Sequence, residues 1–374
     1  MVLLNIKLDN FLVFNDFQLC TAYPKKIVGS TIREEHMANH ENFRYKKVIV
    51  LMGANATGKT ALGRILMGIF NFIARKESRA ITTLIEDKER NASFEVDLAF
   101  DQNVLVRVSA LFIAGATRSE DYDSDAIKVE VKTVKIRSAD SYETCAERLS
   151  LISGSASENY IAELEKVPRL TWKFEYPLVG EGKQSVSQGI APDKYCAVLE
   201  KVLKAMDPRI TRVGRIKDVD NAFVIHFPHN IVILNDDNSI GFEKLSSGTA
   251  ESVGVAEIIT AMKLKLCNFY FCDEKFSHIH SDAERTFLSV FIELLGENDQ
   301  LFFTSHNPAL LDMDIPKHSF AFLRRDHSDN HVSCVFASDY LKKNTESLRN
   351  AVENDMFSAS PDIGAIYELA EAEE

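Results

Sequence analysis

The stretch GANATGKT contains the residue types that a phosphate-binding loop requires, at the required spacing. It comprises Gly53, Ala54, Asn55, Ala56, Thr57, Gly58, Lys59 and Thr60. Gly53 and Gly58 let the backbone curl so that several N–H groups point into one concavity, and a helix that begins there favours an anion. Lys59 supplies a cation for the β- and γ-phosphates, and the Thr60 hydroxyl can ligate Mg²⁺. The pattern predicts a site for ATP with Mg²⁺; the alternative is an ordinary glycine-rich turn.

Two adjacent acids, Asp273 and Glu274, follow the apolar run FYFC. A carboxylate at the end of a second buried strand would complete the Mg²⁺ site, and Asp273 is predicted to do this. Glu274 is then placed to orient and deprotonate an attacking water molecule. The alternative is a solvated acidic turn, which such an apolar strand disfavours.

A histidine, His306, follows a third apolar run, LFFT. In the company of the two earlier motifs it is predicted to contact the γ-phosphate, although a lone histidine in such a place is more often structural. His278 and His280 have no neighbours with metal-ligand spacing, so a zinc site is poorly supported.

A second anion-receptive helix start is predicted in LSSGTAE, at Ser246, Ser247 and Gly248. Within one chain the phosphates already occupy the helix that follows the glycine-rich loop. We therefore expect this second start to close over the nucleotide of a partner chain, in a head-to-tail homodimer or higher homo-oligomer. The alternative is a plain serine N-cap.

The hydrophobic pattern indicates which elements position these residues. Apolar runs predict buried strands at 48–52, 269–272 and 301–304, and helical spacing predicts helices at 60–74, 252–266 and 283–295. Period-two alternation around Asp101–Asn103 predicts a β-hairpin. Strands that alternate with helices near both ends of the chain predict an α/β core that carries insertions.

Composition limits the function. The chain has 374 residues, is 45% hydrophobic and carries a net charge of −12, which argues against non-specific nucleic-acid binding. A local basic patch remains open, and candidates are Arg209, Arg212, Arg215 and Lys217. Six scattered cysteines without a CxxC motif predict reduced thiols in the cytoplasm. No apolar run is long enough to span a bilayer, so no membrane association is expected.

The order GANATGKT, LSSGTAE, FYFCDE and FTSH resembles the ABC-class ATPase head of SMC proteins and of overcoming-lysogenization-defect (OLD) nucleases. The N-terminal LDNFLVFNDFQL resembles the first strand pair of this group. Near the C-terminus, FAFLRRDH and SLRNAVENDMFSASPDIGAI resemble compact OLD-like ATPases of abortive-infection, retron-associated and PARIS-type phage-defence operons. The likeness covers both ends of the chain and not residues 114–190.

This resemblance implies a P-loop NTPase fold of ABC type, a mixed sheet with an antiparallel β-lobe and an inserted α+β subdomain. The expected units are an N-terminal lobe (1–113), the insertion (114–205), a C-terminal lobe (206–320) and an extension (321–374). Three features depart from the family pattern: Ser247 replaces the first glycine of LSGGQ, the segment Ser277–His280 lacks a proline, and no Q-loop glutamine is identified, although Gln102 lies near the expected region.

Two functions follow from the resemblance. The first is a slow regulatory ATPase that senses a trigger and controls a separately encoded toxin or nuclease in anti-phage defence, because no spaced Glu…Asp-x-Asp cluster of a TOPRIM nuclease follows His306. The second is an SMC-like DNA-maintenance ATPase that clamps nucleic acid; it needs a basic stripe, for which Arg209–Lys217 is the candidate.

Overall fold

The computed structural model describes residues 1–27, 29–115, 122, 124–154, 157, 159–176, 191–217, 219–235, 241–326, 331–343 and 345–359. Its strands are β1 (Val2–Asp9), β2 (Phe17–Cys20), β3 (His36–Met37), β4 (His40–Arg44), β5 (Val48–Met52), β6 (Ala92–Phe100), β7 (Val104–Phe112), β8 (Ile127–Lys135), β9 (Trp172–Glu175), β10 (Arg212–Arg215), β11 (Phe223–His226), β12 (Ile231–Leu234), β13 (Phe269–Asp273), β14 (Gln300–Thr304), β15 (Phe320–Arg325) and β16 (Val332–Phe336). Its helices are α1 (Lys59–Arg75), α2 (Arg79–Thr82), α3 (Tyr142–Ser150), α4 (Tyr160–Leu164), α5 (Pro192–Met206), α6 (Ser247–Lys263), α7 (Ser281–Leu294), α8 (Ala337–Tyr340) and α9 (Leu348–Glu353).

A six-stranded sheet, in the order β16-β15-β5-β14-β13-β9, carries the predicted chemistry. Strands β15, β5, β14, β13 and β9 are parallel to one another, and β16 is antiparallel to β15. Every residue of β5, β13 and β14 is buried, as expected of parallel strands that are covered on both faces. The carboxyl ends of β5, β13 and β14 therefore lie at the same edge of the sheet.

Helix α1 covers one face of this sheet. The predicted apolar stripe is buried, and its members are Leu62, Ile65, Leu66, Ile69 and Ile73. Gly63 lets the helix approach β13, because a Cβ there would lie 2.6 Å from a ring carbon of Phe271. The predicted helix at 60–74 and the strands at 48–52, 269–272 and 301–304 are confirmed.

A second sheet is entirely antiparallel, in the order β2-β1-β6-β7-β8. The predicted hairpin is confirmed as β6 and β7, which pair along their whole length. Across this pair the Arg107 guanidinium donates two hydrogen bonds of 2.7 Å to the buried carboxylate of Asp97, and Tyr142 of α3 donates a third. These contacts attach α3 to the sheet.

Strands from the predicted insertion and extension belong to these two sheets. Strand β8 pairs with β7, β9 pairs with β13, and β15 pairs with β5. The four-part division of the chain remains a prediction, whereas these pairings show that 127–135, 172–175 and 320–325 extend the sheets of the core. A third sheet, β10-β11-β12, packs beside α5. Within the described ranges, no helix is both long and apolar enough to cross a membrane.

Candidate nucleotide site

The P-loop, residues Gly53 to Thr60, connects the end of β5 to the start of α1. Gly53 and Gly58 have φ values of +151° and +104°, which favour glycine. Space demands glycine too, since a Cβ on Gly53 would lie 2.6 Å from the Leu323 carbonyl oxygen and one on Gly58 would lie 2.9 Å from Val13 Cγ2. Both glycines of the motif are therefore fixed by the fold.

Lys59 reaches back over the P-loop. Its buried ammonium donates hydrogen bonds of 2.9 Å to the carbonyl oxygens of Gly53 and Ala54. Thr57 closes the same turn by donating to Ala54 O at 2.9 Å. Burial lowers the pKa of Lys59, and the Glu274 carboxylate opposes that shift. The loop thus holds a cation inside a concave backbone, as a phosphate site requires.

Asp273 lies at the carboxyl end of β13, and its side chain is completely buried. Its Oδ1 accepts a hydrogen bond of 2.7 Å from the Thr304 hydroxyl, whereas Oδ2 has no donor among the described residues. Burial raises the pKa of Asp273, and the hydroxyls of Thr304 and Thr60 lower it. A buried carboxylate oxygen without a donor needs a partner, and a divalent cation is a suitable one. The arrangement fits Mg²⁺ between Thr60 and Asp273.

Glu274 adopts an unusual backbone conformation for a non-glycine residue, with φ of +40°. Its N–H donates to the Thr304 hydroxyl at 2.9 Å. Its Oε1 lies 2.7 Å from Nε2 of His306 and 3.4 Å from Nζ of Lys59. The hydrogen bond with His306 lowers the pKa of Glu274, so the carboxylate is ionised at neutral pH. The predicted acid and histidine are therefore direct neighbours.

Sequence reasoning assigned no role to Glu284, which lies beneath His306. This buried carboxylate of α7 accepts hydrogen bonds from Ser305 Oγ at 2.6 Å and from Asn307 Nδ2 at 2.7 Å. Burial raises its pKa. The residues on both sides of His306 are thus held by one carboxylate. The sequence did contain a signal for this role, because Glu284 is an acid on the otherwise apolar face of α7.

The second helix start, Ser246–Gly248, begins α6 and does not belong to the cluster around Lys59. Ser246 and Ser247 are exposed, and Ser246 Oγ accepts from Thr249 N at 3.2 Å, so the serine is an N-cap. Gly248 packs closely on the segment after Glu274, because a Cβ there would lie 2.8 Å from the His278 carbonyl oxygen. The start of α6 and the segment Ser277–His280 therefore form one exposed surface.

The two histidines with a weak zinc prediction have structural partners. His278 Nδ1 lies 2.6 Å from Oε1 of the buried Glu251, and the His280 ring accepts from Asp282 N at 3.2 Å as the N-cap of α7. The part of the chain that the structure describes contains no group of three His, Cys, Asp or Glu residues that could hold a metal. These histidines anchor the turn after Glu274.

Gln102 is not near this site. It lies in the exposed turn between β6 and β7, and the adjacent Asp101 accepts from Asn298 Nδ2 at 2.8 Å. Asn298 precedes β14, whereas His306 follows it. Gln102 therefore lies near the amino ends of the parallel strands, and the candidate site lies at their carboxyl ends. On the side away from β14, β13 pairs with β9. Residues 177–190, which follow β9 in the chain, lie outside the described ranges.

No protein-family model matches the chain, and neither does any curated protein. Solved structures do match. An SMC head bound to the C-terminal winged-helix domain of ScpA has a TM-score of 0.51 and 13% identity, over 94% of this chain and all of that one. A Pyrococcus furiosus SMC head with an extended coiled coil, bound to the C-terminal domain of ScpA, has a TM-score of 0.52 and 11% identity, over 95% of this chain and 98% of that one.

The chain has the fold of an ABC-type ATPase head. This confirms the predicted fold class, including the mixed sheet and the antiparallel lobe. On this head the fold brings Lys59, Asp273, Glu274 and His306 together from strands β5, β13 and β14, and it presents Ser246–Gly248 elsewhere on the surface. A cation, a donor-free carboxylate oxygen and an ionised acid beside a histidine can together bind a metal-bound phosphate and accept a proton from water.

Proposed function

We propose that the protein binds ATP with Mg²⁺ and hydrolyses it to ADP and phosphate at the Lys59–Glu274–His306 cluster. The observation that carries this proposal is the position of Glu274 Oε1, 2.7 Å from the His306 ring and 3.4 Å from the Lys59 ammonium. One residue before it, Asp273 holds a buried Oδ2 without a donor in the described chain. A merely structural acidic turn would not need this arrangement.

Each residue has a separate task in this proposal. The P-loop N–H groups and Lys59 bind the phosphates, and Thr60 and Asp273 hold Mg²⁺. When bound, Mg²⁺ neutralises charge that develops on the phosphate oxygens. Glu274, which is ionised at neutral pH, orients the attacking water and accepts its proton. His306 donates to Glu274 or to the γ-phosphate, and Glu284 keeps the histidine in place.

The proposed active unit is a head-to-tail homodimer or higher homo-oligomer. The support is the exposed start of α6, where Ser246 and Ser247 present a helix N-terminus to solvent. Such a terminus favours an anion. The γ-phosphate of a nucleotide on the P-loop of a second chain is an anion of suitable size, and binding it would complete the site.

At the cellular level, we propose a slow regulatory ATPase in the cytoplasm that controls a separately encoded toxin or nuclease in anti-phage defence. The support is the resemblance of FAFLRRDH and the residues after it to OLD-like defence ATPases, together with the net charge of −12. Two solved heads of this fold are described in complex with a domain of ScpA. We extend the principle of a protein partner to this chain, not that particular partner.

The alternative is a head that clamps nucleic acid. Its specific support is the exposure of Arg212 and Lys217 in and after β10. The other two members of this basic patch are neutralised, since Arg209 pairs with Asp207 at 2.8 Å and Arg215 pairs with Asp193 at 3.4 Å. A phosphate-binding stripe needs uncompensated cations, so the balance favours a protein partner.

Phosphate release from ATP tests the enzymatic proposal. We expect slow turnover with Mg²⁺ and none with excess EDTA. Turnover that is unaffected by EDTA, or its absence under all conditions, contradicts it. Adding duplex DNA at low salt then separates the cellular roles: stimulation that disappears in an Arg212→Ala/Lys217→Ala variant favours the clamp. A change in turnover with the product of a neighbouring reading frame, and none with DNA, favours the regulator.

A further inference from the structure

Four charged side chains are packed together behind Glu274, and we call them the ion cluster: Lys173, Glu175, Glu257 and Lys275. Lys173 Nζ lies 2.6 Å from Glu257 Oε2 and 2.9 Å from Glu175 Oε1. Lys275 Nζ lies 3.5 Å from Glu175 Oε2. All four side chains are at most 13% exposed. Two amino groups and two carboxyl groups are thus in mutual contact in the protein interior.

Stability does not explain the ion cluster. Bringing four charges out of water carries a large desolvation cost, and replacing buried ion pairs by well-packed apolar groups is often neutral or stabilising. What ion pairs provide is geometric definition, because each charged group accepts only a few positions of its partners. The question is therefore which parts of the molecule the cluster fixes relative to each other.

The ion cluster joins three elements of the proposed site. Lys173 and Glu175 belong to β9, at the edge of the central sheet, and Glu257 lies in the middle of α6. Lys275 directly follows Glu274, and its Nζ also donates to the Tyr176 carbonyl oxygen at 2.9 Å. The helix that begins with the exposed Ser246 is thereby connected through β9 to the residue next to the proposed base.

Contact between α6 and the Lys275–Glu175 pair is very close at Gly254. A Cβ there would lie 2.5 Å from Glu175 Oε2, 2.6 Å from Lys275 Cε and 2.8 Å from Lys275 Nζ. The helix backbone therefore lies directly on the Lys275–Glu175 pair. A shift of α6 towards this pair would press on Lys275 and Glu175.

Glu274 is sensitive to such a displacement. Its φ of +40° is strained for a residue with a side chain, and it persists only where the surroundings fix it. On one side the Thr304 hydroxyl holds its N–H at 2.9 Å, and on the other the chain continues into Lys275. The carboxylate itself contacts His306 and Lys59. Releasing Lys275 loosens the backbone that presents the carboxylate to these two groups.

We propose that the ion cluster is a positioning device that couples the placement of α6 to the placement of Glu274. The proposal rests on the function proposed above. When a partner's nucleotide engages the start of α6, the helix settles against Lys275 and Glu175, and Glu274 is held where it can accept a proton from water. Lys275 and Glu175 are positioning residues, which act through Glu274 and touch no substrate.

The test separates binding from turnover. A Lys275→Met/Glu175→Gln variant removes the charges of the Lys275–Glu175 pair and leaves the Lys173–Glu257 contact in place. Gly254→Ala displaces the same pair without removing a charge, so it decides the question if the double variant does not fold. The matched control is Lys204→Met/Glu200→Gln, a partly exposed ion pair on α5. Lys275→Arg keeps the charge and is the conservative rescue.

We expect the affinity for adenylyl imidodiphosphate to stay within about twofold of the wild type, because the P-loop is untouched, and kcat to fall by about tenfold or more. The control and Lys275→Arg should retain most of the wild-type kcat. Unchanged kcat in both test variants overturns the coupling and leaves the ATPase proposal intact. A parallel loss of affinity, kcat and melting temperature also overturns it, in favour of a structural role. A wild-type protein without turnover overturns both proposals.

Discussion

Glu274 and His306 come from the ends of adjacent strands and meet at 2.7 Å between Oε1 and Nε2. In the parallel register of β13 and β14, Asp273 lies opposite Thr304. Glu274 is the next residue after Asp273 and His306 is the second residue after Thr304, so both lie just beyond the ends of the paired strands. Thr304 then fixes both acids, accepting from Glu274 N and donating to Asp273 Oδ1. One threonine thereby sets the distance between the proposed metal ligand and the proposed base.

Replacing Lys59 by alanine should abolish or severely weaken nucleotide binding. The substitution removes the ammonium that the P-loop holds against Gly53 O and Ala54 O. Losing a charge-assisted contact to phosphate costs about 1.5–3 kcal/mol, or roughly ten- to hundred-fold in affinity. Calorimetry with a non-hydrolysable ATP analogue measures the change, with Lys204→Ala on the exposed face of α5 as the control. Equal affinity in the two variants would rule out the P-loop assignment.

Replacing Glu274 by glutamine should stop hydrolysis and preserve binding. Glutamine keeps the volume and the contacts with Lys59 and His306, but it cannot accept a proton from water. We expect ATP binding close to that of the wild type and accumulation of a closed dimer, measured by phosphate release and by mass in solution. Hydrolysis at the wild-type rate would mean that another group, Asp273 or His306, is the base.

Mixing two inactive variants should restore activity if the nucleotide site is shared between chains. Ser246→Arg places a bulky side chain at the start of α6, and Lys59→Ala disables the P-loop. In a mixed head-to-tail dimer one composite site carries both lesions and the other carries neither. We expect up to about half of the wild-type activity per mixed dimer if the sites are independent.

The control for this mixture is Ser347→Arg, because Ser347 is also a serine N-cap and accepts from Asn350 N at 3.2 Å. It should not reduce hydrolysis, since α9 is not part of the proposed interface. Failure to restore activity, in spite of mixed dimers seen by mass, leaves a site within one chain or obligatory coupling between sites. A mixture of wild type and Lys59→Ala distinguishes these, because only obligatory coupling makes its mixed dimers inactive.

Glu257 should make stability depend on pH. Burial raises its pKa to about 7 from the ordinary 4.5, the charge of Glu175 adds to this shift, and Lys173 opposes it. Between these two values the folded protein holds a proton that the unfolded chain has lost. The free energy of unfolding therefore decreases as pH rises between the two pKa values. The stabilisation that the proton on Glu257 provides is fully present only below this range.

Urea unfolding of the wild type and of Glu257→Gln at several pH values measures this contribution. The difference in unfolding free energy, wild type minus variant, should fall between about pH 5 and pH 7.5, because glutamine does not titrate. Glu200→Gln on the exposed face of α5 is the control and should give no such slope. Parallel curves for wild type and Glu257→Gln would contradict the raised pKa.

The sequence by itself determined the local parts of the site. Gly53, Gly58 and Lys59 lie within seven positions, and their conformations follow from glycine geometry and from one strand and one helix. The apolar runs before Asp273 and His306 identified buried strands, and the end of a parallel strand is where a polar residue can reach a ligand. These patterns involve residues that are close in sequence, so they can be recognised from a single sequence.

Tertiary structure alone decided the contacts between distant segments. Lys173 and Glu257 are 84 positions apart, and nothing in the residues around Lys173 indicates that β9 lies beside β13. The contacts of Glu284 beneath His306 depend in the same way on how α7 packs. Strand order and helix placement are set by the burial of whole faces, which is a property of the complete chain. The pattern around one residue therefore predicts its element and its exposure, whereas its partner is determined by the fold.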